Sequence, residues 1–75
     1  AGVHRFTVAS GSAADGHTID QLDRLPEHAW ISLVVRAGRL VPVSGSTRLH
    51  VADEILVLAE DDLAATLEGI FSRSR

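Results

Sequence analysis

Apolar positions are densest over residues 29–43, AWISLVVRAGRLVPV, where Trp30, Ile31, Leu33, Val34 and Val35 are broken only by Ser32. Such a run predicts a central strand covered on both faces, because neither side of its pleat has to meet water. Arg36, Ala37, Gly38 and Arg39 interrupt the run with two charges around a glycine, and it resumes at Leu40, Val41 and Val43. The pattern predicts a hairpin. Ala-Gly is a weaker turn signal than Asn-Gly, since alanine resists positive φ, which leaves room for a longer loop. Pro42 has no amide to donate, so the second strand is expected at an edge or beside a bulge.

The remaining elements are arranged around this hairpin. Residues 4–9 predict a first strand, with Phe6 and Val8 on one face and Arg5 and Thr7 on the other. The small and polar residues 10–16 read as a loop. Thr18 and Gln21 have capping-box spacing, and Ile19, Leu22 and Leu25 form the stripe of a short helix that Pro26 ends. After the hairpin, Leu49 and Val51 alternate with Arg48 and His50 as a very short strand. Ile55, Leu56, Val57 and Leu58 predict another strand buried on both faces. Glu60, Asp61 and Asp62 open a helix, where one aspartate can cap. Leu63, Leu67, Ile70 and Phe71 line that helix as a single apolar stripe, and Arg73 and Arg75 suit its C-terminal end. The expected order is β-α-β-β-(β)-β-α, an α+β domain with a mixed or antiparallel sheet of four to five strands and two helices.

Length makes the domain small. Its 75 residues form one unit, 1–75, and a chain of this size buries only about 60–65% of its unfolded surface. No cysteine staples it or frames a zinc site, yet 45% of its residues are hydrophobic. A homodimer is therefore expected, the partner copy supplying the missing burial. The net charge of −3 argues against a nucleic-acid partner. No apolar run approaches the ~20 residues needed to cross a bilayer, and the start AGVHRFTV lacks the apolar core of a signal peptide. Absence of cysteine fits a reducing compartment. The abrupt opening on a strand fits a piece of a longer protein.

Arg36, Arg39, Arg48 and His50 are candidates to converge on phosphate oxygens, which guanidinium groups bind bidentately. The competing reading makes Arg36 and Arg39 solvated hairpin tips and His50 a surface residue. His4, His17, His28 and His50 fall in separate segments without the spacing of a metal site. Ser46, His50 and Asp53 invite a hydrolase reading, but the G-x-S-x-G elbow is missing and so short a chain leaves little room for a cleft. No enzymatic activity and no cofactor are expected.

Ordered motifs carry a family resemblance. Gly16-His17-Thr18-Ile19 with Leu22, the strand ending Arg36-Ala37-Gly38, Pro42-Val43-Ser44-Gly45-Ser46-Thr47-Arg48-Leu49, and Asp53-Glu54-Ile55-Leu56-Val57 occur in this order. Together they resemble the TrkA-C, or RCK-C, domain of the kind appended to bacterial potassium/proton antiporters. The resemblance covers residues 3–71. It implies a ligand-sensing, dimerising regulatory domain on the cytoplasmic side of the cell membrane, joined to the membrane-embedded transporter portion of the same protein. In several such relatives the effector is cyclic di-AMP, held between two copies by hairpin residues. The region that corresponds here is residues 34–36 and 40–43; joined with the basic candidates above, it gives an expected effector site of Val34, Val35, Arg36, Arg39, Val41, Pro42, Arg48 and His50. The alternative is a purely structural dimerisation module without a ligand. Two features depart from the pattern. Ala52-Asp53 stands where the family usually has Gly-Asp, and the nucleotide-binding half that often precedes such domains is absent from this sequence.

Overall fold

The computed structural model describes residues 2–72, so the roles expected of Arg73 and Arg75 lie outside the described residues. Strands β1 (Gly2–Thr7), β2 (Trp30–Arg36), β3 (Arg39–Val41) and β4 (Glu54–Ala59) form one antiparallel sheet in the order β1-β4-β2-β3. The two most apolar strands, β2 and β4, are its centre. Helix α1 (Ala64–Phe71) lies across one face, which completes the α+β architecture.

Alternation decides which side chains meet the helix. Phe6, Ile31, Val34, Ile55 and Val57 face it, and Leu67, Ile70 and Phe71 return the contact as the buried stripe, with Leu63 half-buried beside them. The Phe6 and Phe71 rings stack with centroids 5.6 Å apart. The loop after β1 closes the helix end. Ala9 and Ala14 donate their amides to the carbonyls of Phe71 and Ile70, at 2.8 and 3.1 Å, so these last-turn acceptors are satisfied by backbone.

Ser32, the polar break in the apolar run, sits at a bulge between Ile31 and Leu33 and donates to the Leu56 carbonyl at 3.2 Å. The bulge inserts a residue, so Ile31 and Val34 face the core while Trp30 and Leu33 face away. At the hairpin tip Arg36 pairs with Arg39, and Ala37 and Gly38 take φ of 52° and 78°. The turn is therefore the tight two-residue kind, and Ala37 accepts the left-handed conformation. Pro42 follows β3, an edge strand, as its missing amide requires.

Several expectations change. The first strand ends at Thr7 rather than residue 9, because Val8 exchanges hydrogen bonds with the turn before β4 (Val8 N–H to Asp53 O and Ala52 N–H to Val8 O, both 2.9 Å). The first helix shrinks to a 3-10 turn, Ile19–Gln21. Its amides are drawn to the 44–47 loop, Ile19 to Thr47 O and Asp20 to Gly45 O at 2.9 Å each, and Leu22 leaves helical backbone at ψ 74°. Leu22 is still buried, with Ile19 and Leu25 packed against the core. The short strand at residues 48–51 is only a bridge between Thr18 and Arg48. The last helix opens with a 3-10 turn, Asp61–Leu63, and no side chain caps it or α1.

The capping box of Thr18 and Gln21 does form, with the Thr18 amide donating to Gln21 Oε1 at 2.9 Å and the Thr18 hydroxyl donating to Asp20. Thr18→Ala is expected to lower the unfolding free energy by about 1 kcal/mol, read as a lower urea midpoint.

Candidate functional site

Arg36 ends β2 on the helix-facing side, where register brings it beside the turn that starts β4. Its Nε donates to Asp53 Oδ1 at 2.9 Å and its Nη2 to Asp53 Oδ2 at 2.8 Å, a bidentate pair. Nη2 also donates to the Arg48 carbonyl at 2.8 Å. Asp53 Oδ2 accepts the His50 amide at 2.9 Å. The carboxylate is 1% exposed, whereas the Arg36 side chain keeps 36% of its surface in solvent. Burial pushes the Asp53 carboxyl up, but the Arg36 bonds, the His50 amide and nearby positive charge outweigh it, and it titrates below the ordinary carboxylate range. The same bond to Asp53 raises the guanidinium against its own desolvation.

The fold thus draws Arg36, Arg48 and His50 together at one corner, but around a carboxylate of the chain itself. Arg36 is no solvated tip: its fork is occupied. Arg48 and His50 are exposed, and the Arg48 guanidinium donates to the Gly16 carbonyl. Arg39 lies opposite Arg36 and is exposed. Asp53 meets His50 through the backbone amide.

The apolar candidates divide between the two sides of the sheet. Val34 pairs with Val41 on the core side, while Val35 pairs with Leu40 on the opposite side, as period-two geometry demands. Pro42 is exposed, and its carbonyl accepts the Thr47 hydroxyl at 2.6 Å, tying the hairpin to the 44–47 loop.

Ala52 answers the departure noted at this turn. Asp53 N–H returns to His50 O at 3.0 Å, and Ala52 holds φ at 75°, the conformation glycine would supply. The turn is kept, at a cost in strain. Ala52→Gly is expected to raise the unfolding free energy by about 0.5–1 kcal/mol, seen as a higher thermal midpoint.

Within one chain, β2 and β4 are covered on one face only, not on both. Away from the helix, Val3, Leu58 and Trp30 form one row, Arg5, Leu56 and Leu33 the next, and Thr7, Glu54, Val35 and Leu40 the third. Val3 is 63% exposed, Trp30 66%, Leu40 71% and Leu58 42%, so within one chain this face is open. Among the described residues no element lies over it, because α1 lies on the other side. Sequence reasoning marked these strands as apolar on both sides without showing which side the helix covers.

A four-stranded antiparallel sheet with one covering helix defines a small α+β domain. The TrkA-C domain family model matches residues 3–72, and the chain belongs to that family. No curated protein matches the chain. TrkA-C domains are regulatory domains of ion transport systems and parts of larger transport or regulatory proteins. Among the described residues, no helix is long and apolar enough to cross a membrane.

Proposed function

We propose that this chain is the homodimeric, ligand-sensing regulatory domain of a bacterial potassium or cation/proton antiporter, held on the cytoplasmic side of the membrane and without catalytic activity. The observation that carries the dimer is the open apolar sheet face. Such a contiguous patch on so small a domain marks an association surface. Stacking two copies of the face about a two-fold axis buries Leu33 and Leu56 at its centre and leaves the Trp30 end of the face, with Arg5 and Glu54, toward the margin. The effector is a nucleotide such as cyclic di-AMP, whose phosphates meet the exposed Arg39 and Arg48.

Sedimentation at micromolar concentration is expected to give a dimer, and Leu56→Glu a folded monomer. A wild-type monomer would sink the assembly reading. Calorimetry with cyclic di-AMP tests the effector, with Arg39→Ala as the weakened variant, since Arg36 is needed by the fold. The second reading, a structural dimerisation module, is favoured by the occupied Arg36 fork. Absence of heat at high micromolar cyclic di-AMP would select it.

A further inference from the structure

At its Trp30 end the open sheet face runs into a groove of about 750 Å³. Trp30, Leu58 and Leu63 form the apolar floor, and His28, Glu60 and Asp62 stand around it. The fold explains the combination. Trp30 pairs with Leu58 where β2 begins and β4 nears its end. The chain then turns, with Leu63 N–H donating to Glu60 O at 3.0 Å, and places Glu60 and Asp62 on the lining of the same groove as Trp30. Among the described residues no arginine lines the groove.

We propose that this groove docks a basic amphipathic segment on the cytoplasmic face of the transport protein to which the domain belongs, a proposal that rests on the regulatory reading above. A bulky apolar side chain of that segment covers Trp30 and Leu58, and its lysine or arginine lies against Asp62 and the indole face. Four considerations select this occupant. The acidic rim repels anionic lipid headgroups and nucleic acid, and attracts cations. An exposed tryptophan is both the best cation–π surface and a frequent anchor of interfaces. The groove is open to solvent, whereas a small ligand needs a site that encloses most of its surface. Cytoplasmic loops of membrane proteins carry an excess of lysine and arginine, so a transporter presents this chemistry on this side.

Trp30 is the only tryptophan of the chain, so its fluorescence reports the groove directly. The probes are a synthetic amphipathic peptide of leucine and lysine, free of aromatic residues, and its leucine–glutamate counterpart. Titrating the wild-type chain with the lysine peptide is expected to shift Trp30 emission to the blue and saturate, with no comparable shift from the glutamate peptide. Asp62→Asn is expected to weaken the lysine peptide by about threefold or more, whereas Asp23→Asn, the same charge change away from the groove, leaves it unaltered. Equal response to both peptides overturns the proposal. So does equal weakening by the two substitutions, which means bulk attraction alone. A blue shift that grows with protein concentration and that peptide cannot alter also overturns it, since a second copy then fills the groove. A chain that sediments as a dimer but ignores the lysine peptide overturns the groove while leaving the regulatory reading intact.

Discussion

Arg36→Ala is expected to lower the unfolding free energy by about 3 kcal/mol, a fall in Tm of about 12–24 °C for a domain of this size. The loss comes chiefly from what remains. Asp53 is 1% exposed, and without the guanidinium its charge stays buried with the His50 amide as its remaining hydrogen-bond donor among the described residues. The figure sits at the lower end for buried pairs because Arg36 itself is partly solvated. Differential scanning calorimetry reads the shift, and the double variant Arg36→Ala, Asp53→Asn is expected to recover part of it by removing the orphaned charge. A change below about 0.5 kcal/mol, the range of ordinary surface substitutions, would mean that the pair is incidental. The same result has a practical consequence: loss of ligand binding in Arg36→Ala would report unfolding as readily as a lost contact.

Acid should reveal the same pair from the other side. Asp53 titrates below its ordinary range in the folded chain, so its contribution is complete above about pH 3.9, the unfolded value, and is lost as pH falls through the folded value. Asp53→Asn removes the charge at every pH. It is expected to cost about 2 kcal/mol at pH 7, the worth of hydrogen bonds to a charged group, and progressively less below about pH 3.9. Urea unfolding of both proteins between pH 7 and pH 2.5 measures the gap. A gap that stays constant on acidification would show that the ionised carboxylate is not the stabilising species.

Much of the fold was legible because local patterns sufficed. The apolar run with its central Ala37-Gly38 specified a hairpin, Pro42 placed β3 at an edge, and the spacing of Leu63, Leu67, Ile70 and Phe71 specified the helix face. The ordered glycine, proline and aspartate positions were enough for the family. The first helix was misjudged because its apolar stripe does not show that the backbone leaves helical geometry at Leu22. The candidate site was legible as a set of residues but not as an arrangement. Arg36 and Asp53 lie 17 positions apart, and only the register of β2, β3 and β4 makes them partners rather than leaving the arginine for a ligand.

The sequence by itself therefore determined where the four strands and the last helix form, and which side chains are apolar on each face. Those properties depend on backbone propensity and on periods of two or 3.6 residues, which neighbouring residues carry. Tertiary structure decided what satisfies each group. Alternation marks Leu33, Leu56 and Trp30 as apolar on one face without saying whether that face is covered. The answer depends on where α1 docks, and it docks on the other side.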